Sequence, residues 1–354
     1  MDLGPDRRPT LHGAKLRALT RDALGIQLDE VTGTADGALG WAVAGHESTA
    51  HRQTSDSAVA VSLIEQRPEA ALGQLLAIMK RRTCTRGLVL CVTGAELVAR
   101  RAELFDLDIE VWAIDGTSIA RVSPTENPPM APPPSEALGW IDVIESAGAD
   151  VVVEHGVVSA EVSGLEVARV IVDEFGARLE VGISTDDRAM FSMLHGHMLP
   201  PDALAKVIGI VAKHRRVGAE HHPLNQLSRS RLLRSWLVAD PERLGLSTLA
   251  PAPAPTPRAN LNDAVPAAAV GIDHGGDEHV VVSSTGVDLE LIPFAAHARS
   301  MLSKTAELIV VVPDRDVVAF TTWAAEQLTN PARVFGITND WATGSRPLLH
   351  GDAH

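Results

Sequence analysis

The chain has 354 residues, which is longer than one ordinary domain and predicts two or three. Its hydrophobic content of 45% is sufficient for buried cores, which are mainly aliphatic because only 3% of the residues are aromatic and none is tyrosine. The net charge of −14 repels nucleic acid at long range, and no run of about 20 apolar residues, the length of a membrane span, occurs.

The two cysteines and the N-terminus indicate in which cellular compartment the protein lies. Cys84 and Cys91 lie seven residues apart without a Cys-x-x-Cys motif, so we expect buried thiols in a reducing environment. The first residues contain no apolar segment of signal-peptide length. These features predict a cytoplasmic protein that does not enter membranes.

Residues 1–121 have the hydrophobic pattern of an α/β unit. After an amphipathic helix, two strands separated by a polar segment predict a hairpin, and helices then alternate with strands. The predicted elements are a helix at 11–24, strands at 38–44 and 57–64, a helix at 69–82, a strand at 88–92, a helix at 95–105 and a strand at 109–114. Such alternation predicts a sheet of which part is parallel.

Two proline-rich segments divide the rest of the chain. Residues 122–135 contain six prolines and residues 250–257 read APAPAPTP, so both are predicted linkers. Between them, residues 136–249 combine helices with Val-, Ile- and Leu-rich strands, which are densest at 150–187. We therefore predict a central α+β domain with an antiparallel strand meander.

The C-terminal segment, residues 258–354, repeats the element order of the N-terminal unit. Two strands are followed by a helix near 291–302, a strand at 307–312, a helix at 317–328 and a strand at 333–337. The predicted fold class is α/β, with two similar α/β units that flank the central α+β domain.

A strand, a helix with Gln74, and a further strand, helix and strand follow one another in residues 57–114. This arrangement resembles the second half of a restriction-endonuclease-like nuclease domain of the RecB type, in which a strand ending in Glu-x-Lys precedes a helix with Gln-x-x-x-Tyr. Ile78 stands at the tyrosine position, and Ser62 and Ile64 occupy the Glu-x-Lys positions. The resemblance implies a nuclease-like fold without the carboxylate and lysine that metal-dependent cleavage needs.

Carboxylates recur along the central strands, and Glu161, Glu166 and Glu180 are the predicted catalytic residues and metal ligands. Glu161 and Glu166 are five residues apart, so a bulge at Gly164 is needed to place both on one face of the sheet. Converging carboxylates of this kind would bind Mg²⁺ or Mn²⁺ through oxygen ligands.

Ion pairing is the alternative interpretation of these carboxylates. A half-exposed meander would pair them across strands with Arg169, Arg178 and Arg188. Asp288 and Glu290 in the C-terminal unit are likewise either half of a metal site or a carboxylate pair at a helix N-terminus.

Between residues 206 and 234, seven basic residues stand against a single acidic residue, Glu220. A basic face of this kind would bind phosphate groups of a nucleic acid. The predicted contacts are Lys213, Arg215, Arg216, Arg229, Arg231 and Arg234. A solvated helix face, or pairing with the acidic remainder of the chain in a homo-oligomer, is equally consistent with the pattern.

Two functions follow from these patterns. The first is a non-catalytic, nuclease-like binding or assembly module that contacts a nucleic acid or a protein partner through residues 206–234. The second is a metal-dependent nuclease or phosphodiesterase, with the three central glutamates as ligands and Arg215 or Arg216 as the electrophilic group.

Overall fold

A computed structural model describes residues 7–44, 57–116, 118–195, 198–216, 219, 222–257 and 265–343. These residues form three β-sheets with associated helices, which confirms the predicted mixed α/β fold. In this part of the chain, every helix is too short or too polar to cross a membrane.

The first sheet has six strands, which lie side by side in their order along the chain. They are β1 (Glu30–Gly33), β2 (Gly37–Ala44), β3 (Ser57–Ile64), β4 (Arg86–Cys91), β5 (Asp108–Asp115) and β6 (Ser118–Val122). The strands from β1 to β3 are antiparallel, those from β3 to β5 are parallel, and β6 returns antiparallel to β5. The predicted hairpin and the parallel part of the sheet are both present.

Three helices accompany this sheet: α1 (Arg8–Leu24), α2 (Leu72–Arg82) and α3 (Ala95–Ala102). Leu16 of α1 is fully buried against apolar side chains of the strands, such as Val61 and Leu88. The helices α2 and α3 connect the parallel strands, as right-handed crossover connections require. The two cysteines are buried and unpaired, as predicted.

The second sheet is an antiparallel meander of β7 (Asp150–Glu154), β8 (Val157–Val162), β9 (Leu165–Asp173) and β10 (Gly176–Val181). Ser163 and Gly164 both have positive φ and form the two-residue turn between β8 and β9. The bulge predicted at Gly164 is therefore wrong, because the register shift lies between Ala160 and Glu161.

Helices cover the meander and contribute to its core. They are α4 (Ser135–Leu138), α5 (Ile141–Ser146), α6 (Thr185–His195) and α7 (Pro200–His214). Ile144, Leu204 and Val211 are buried against Val158 and Leu165 of the strands. Gly139 and Trp140 lie between the two short helices α4 and α5.

The third sheet contains β11 (Leu246–Ala252), β12 (Ala267–Asp273), β13 (Glu278–Ser283), β14 (Glu307–Pro313) and β15 (Arg333–Ile337). Its strand order and directions are those of the first five strands of the first sheet. Three further helices of the described chain are α8 (Arg229–Val238), α9 (Leu291–Leu302) and α10 (Ala319–Glu326). The repeated element order seen in the sequence is thus a repeated sheet topology.

The chain divides into two compact units. The first comprises residues 1–127, 288–297 and 318–332, and the second comprises 128–287, 298–317 and 333–354. These units do not follow the predicted three-domain boundaries, because segments of the C-terminal part pack within the first unit. The predicted linker at 250–257 also gives its first three residues to β11. Proline is tolerated there because β11 is an edge strand.

Candidate functional site

Glu161, one of the three predicted metal ligands, is held in a buried ion-pair network. Its side chain is 2% exposed and accepts hydrogen bonds from Arg231 Nη1 and, at 2.7 Å, from Arg234 Nη2. Both arginines also bond Glu154 on the neighbouring strand β7. Burial and the charge of Glu161 raise the pKa of the adjacent Asp150. The network joins α8 to the meander within the second unit.

Glu166 and Glu180 bond a different set of arginines. Arg169 donates to both oxygens of Glu166, from Nε at 2.7 Å and from Nη2 at 3.0 Å. Arg178 Nη2 donates to Glu180 Oε1 at 3.1 Å. Arg188 of α6 lies near both carboxylates, with Nη1 3.4 Å from Glu166 Oε1 and Nε 4.0 Å from Glu180 Oε2. The ion pairing with Arg169, Arg178 and Arg188 that the sequence offered as an alternative is therefore present, but these pairs form within β9, within β10 and from α6, not across strands.

The three predicted ligands do not converge on one point free of cations. Glu161 and Glu166 are register partners across β8 and β9, yet their oxygens accept hydrogen bonds from separate arginines. In the described ranges, no group of three or more His, Cys, Asp or Glu side chains is placed to hold a metal ion. A metal at Glu161 would have to displace two arginines from a buried carboxylate, which is costly.

The predicted basic residues do not share one exposed face. Arg215, Arg231 and Arg234 are buried, whereas Lys213 and Arg216 are exposed and Arg229 is half-buried. Arg215 donates to four backbone carbonyls, those of Ser163, Leu224, Leu227 and Ser228. It therefore fixes the chain between α7 and α8 and cannot approach a phosphate. Glu220, the acidic member of this segment, lies outside the described residues.

Helix α6 is flanked by two concave surfaces of similar size. On one side, a cavity of about 450 Å³ lies against β10 and the start of α7. On the other side, a groove of about 460 Å³ lies between α6 and α7. Phe191 lines both of them. Concave surfaces of this size on both flanks of a helix can accommodate a ligand or a partner.

The groove between α6 and α7 is mainly apolar and open to solvent. Met190 and Leu194 lie one turn apart on α6 and are 60% and 63% exposed, and Ile210 on α7 is 50% exposed. Met193 and Leu199 beside them are exposed as well. Contiguous exposed apolar side chains of this size mark interaction surfaces, and methionine adapts to varied partners.

The outer face of α7 adds positive charge to this groove. Lys206 lines the groove, and both Lys206 and Lys213 are exposed. Because residues three and four apart share a helix face, Lys206, Ile210 and Lys213 form one stripe. Asp187, in the first turn of α6, is the acidic residue that lines the groove.

A second polar cluster lies in the first unit, around Arg101 of α3. Its side chain is 2% exposed, with Nη1 3.6 Å from Glu290 Oε2 and Nε 3.4 Å from His297 Nδ1. Gly73 N donates to Glu290 Oε1 at 2.5 Å, and His297 Nε2 lies 3.1 Å from Asn127 Oδ1. Glu290 Oε2 has no hydrogen-bond partner among the described residues.

Burial shifts the titration of this cluster in opposite directions. It raises the pKa of Glu290 to about 8, against the opposing effect of Arg101, and raises that of Asp288. It lowers the pKa of His297 to about 3, and the charge of Arg101 adds to that effect. His297 is thus neutral, with Nδ1 accepting from Arg101. Of the Asp288–Glu290 pair singled out in the sequence, Glu290 lies beside Arg101, whereas Asp288 Oδ1 accepts a hydrogen bond from Glu290 N at the start of α9.

The apolar residues of the groove were not predicted as functional residues from the sequence. A signal was present, because Met190, Phe191, Met193 and Leu194 cover more of the helix circumference than one buried face requires. The sequence analysis selected charged residues instead, and most of them pair with each other.

The chain matches no protein-family model, no curated protein sequence and no solved structure.

Proposed function

We propose that the protein is a binding module and that the groove between α6 and α7 takes an amphipathic helix of a protein partner. The observation that carries the proposal is the exposed apolar surface of Met190, Leu194 and Ile210 around a groove of about 460 Å³. Apolar side chains spaced at i, i+3 or i+4, and i+7 on a partner helix fit such a groove.

The charge of the groove supports a partner helix with acidic residues beside its apolar stripe. Lys206 and Lys213 stand at the outer edge of Ile210, where carboxylates of a docked helix would meet them. A second copy of this chain is a poorer occupant, because a net charge of −14 opposes self-association. The proposal keeps the binding function predicted from the sequence but assigns it to the groove between α6 and α7 in place of the basic residues at 206–234.

The alternative from the sequence is a metal-dependent nuclease or phosphodiesterase that uses Glu161, Glu166 and Glu180. Its support is weaker, because arginines bond all three carboxylates. Titration calorimetry with Mg²⁺ and Mn²⁺ on the wild type and on Glu166→Ala tests it. Metal binding that vanishes in the variant would favour the nuclease. The nuclease-like resemblance of residues 57–114 stays a prediction.

Selection from a displayed random-peptide library tests the proposal directly. Peptides are selected on the wild-type chain and counted against Ile210→Glu, which places a charge in the groove. The matched control is Phe175→Glu, because Phe175 is exposed on the turn between β9 and β10 and lies outside the groove. We expect enriched helical sequences with an apolar stripe and acidic neighbours, which lose at least about tenfold in affinity with Ile210→Glu alone.

Charge reversal of the lysines gives the second part of the test. Lys206→Glu with Lys213→Glu is expected to weaken the acidic peptides and to favour variants of them with lysine in place of glutamate. Enrichment that ignores Ile210→Glu, or no enrichment at all, would overturn the proposal. Concentration-dependent dimerisation that Ile210→Glu abolishes would assign the groove to a second copy.

A further inference from the structure

The cavity on the opposite flank of α6 combines an apolar wall with a buried cation. Val181 of β10, Phe191 of α6, and Met198 and Ala203 at the start of α7 supply the apolar wall. Arg188 projects from α6 into the same lining. A volume of about 450 Å³ lies within the range of small-molecule sites, which pair apolar walls with a few placed polar groups.

The partners of the Arg188 guanidinium lie at long range, and one of them, Glu180, lines the same cavity with its Oε2 4.0 Å from Arg188 Nε. The Arg188 side chain is 11% exposed, and its hydrogen bonds within the described residues are long, 3.4 Å to Glu166 and 3.3 Å to Thr185 Oγ1. Arg169 already binds both oxygens of Glu166 at shorter distances. A buried cation gains most from a partner that accepts two short, charge-assisted hydrogen bonds.

Other charged groups around the cavity are occupied. Glu180 accepts from Arg178, and Arg178 also donates to Asp173 at the end of β9. Asp187, which lines the groove on the other flank of α6, accepts from Ser184 N. Burial, followed by the charge of Arg169, lowers the pKa of Arg188, so desolvation outweighs the help of these carboxylates. Arg188 is thus the lining cation with the most to gain from a ligand.

We propose that this cavity binds a small organic anion, with its anionic group on Arg188 and its apolar body against Phe191, Met198 and Ala203. The ligand class is a monocarboxylate or monosulfonate with an aromatic or aliphatic body. This site is distinct from the proposed docking groove, since Ala203 and Arg188 line only the cavity, whereas Ile210 lines only the groove.

A matched pair of fluorescent probes tests the anionic and apolar parts separately. Anilinonaphthalene sulfonate carries the anion, and phenylnaphthylamine has the same apolar rings without it. We expect one saturable sulfonate site per chain, and Arg188→Gln to weaken the sulfonate by at least about tenfold while changing the neutral probe less than about twofold. Arg188→Lys, which keeps the charge, is expected to retain most of the sulfonate binding and shows that the fold is intact.

Two further variants locate the site. Ala203→Phe fills the cavity and is expected to abolish binding of both probes, whereas Ile210→Glu in the groove is expected to leave the cavity site unchanged. Equal losses of both probes with Arg188→Gln would overturn the proposal. So would sulfonate binding that survives Ala203→Phe, sulfonate binding that only Ile210→Glu removes, or the absence of saturable binding.

Discussion

Two buried titratable residues beside Arg101 contribute to the response of this protein to pH. Glu290 and His297 both contact Arg101, and both have pKa values displaced toward the neutral form by burial. A displaced pKa is a statement about stability, because the folded and unfolded states then bind different numbers of protons. Glu290 therefore lowers the stability of the folded state as the pH rises, whereas His297 lowers it as the pH falls.

Glu290 makes stability fall as the pH rises. Its pKa is about 8 in the folded chain, whereas a glutamate in an unfolded chain titrates near about 4.3. The folded state therefore holds an extra proton between these values, and its contribution disappears as the pH passes about 8. We expect the unfolding free energy to lose at most about 1.4 kcal/mol per pH unit in this window. Urea denaturation of Glu290→Gln should lack this loss, and exposed Glu103→Gln should keep it.

His297 makes stability fall on the acid side. Its pKa is about 3 in the folded chain and about 6.5 when unfolded. Its contribution is complete above about pH 6.5 and is lost as the pH falls toward 3. We expect His297→Asn to flatten the acid limb of the urea-derived stability curve while the alkaline limb remains. An unchanged acid limb would show that His297 is protonated in the folded protein.

Substitution of Glu161 tests whether this carboxylate has a structural or a catalytic role. Removing it by Glu161→Ala leaves Arg231 and Arg234 buried with Glu154 as their remaining carboxylate. We expect a loss of about 3–5 kcal/mol of unfolding free energy, the usual cost of an uncompensated buried charge. Glu161→Leu combined with Arg234→Met should regain much of it. Denaturation without added metal measures both, and a stable Glu161→Ala variant would return this carboxylate to the list of metal ligands.

For the helices and strands, the alternation of apolar and polar residues predicted positions better than the proline content did. The strands of the meander and the parallel strands are near their predicted positions because their apolar residues are buried on the sheets. The proline content led to the prediction of a linker at residues that belong to β11. Pro251 is tolerated in this edge strand because no neighbouring strand accepts a hydrogen bond from its position. Gly164 was misjudged because a turn and a bulge both use glycine with positive φ.

Helix α6 connects the two proposed sites. Phe191 lines both the cavity and the groove, so a ligand that moves this side chain or the helix changes both surfaces. We expect saturating anilinonaphthalene sulfonate to change the affinity of a groove-selected peptide by at least about fivefold, and the peptide to change sulfonate affinity by the same factor. Fluorescence anisotropy of a labelled peptide, with sulfonate titrated separately, measures both factors. Ala203→Phe is the control, and affinities that neither ligand changes in the other would rule out the coupling.

For the whole molecule, the sequence predicted the repeated order of elements but not how the chain is distributed between compact units. Helices α9 and α10 were placed correctly along the chain. Periodicity reports which face of a helix is buried and carries no information about which distant segment buries it. The charged residues of the candidate sites can be identified in the sequence, but their pairing cannot. Glu161 and its partner Arg231, for example, lie far apart along the chain.

The first unit provides the sharpest test of this organisation. Residues 288–297 and 318–332 belong to it, with Lys80 donating to Ala319 O and lying 5.4 Å from the ring of Trp323. Gly73 packs so closely on Leu289 that an added Cβ would lie 2.3 Å from its carbonyl oxygen. A fragment of residues 1–121 lacks these partners, so we expect it to unfold without a cooperative transition.

The complementing fragment supplies the control for this prediction. Adding residues 258–354 in trans should restore a cooperative melt, followed by circular dichroism, because it returns residues 288–297 and 318–332 to the first unit. Gly73→Leu in the 1–121 fragment should block that rescue, since the side chain would occupy the space of Leu289. A 1–121 fragment that melts cooperatively by itself would instead support the three independent domains predicted from the sequence.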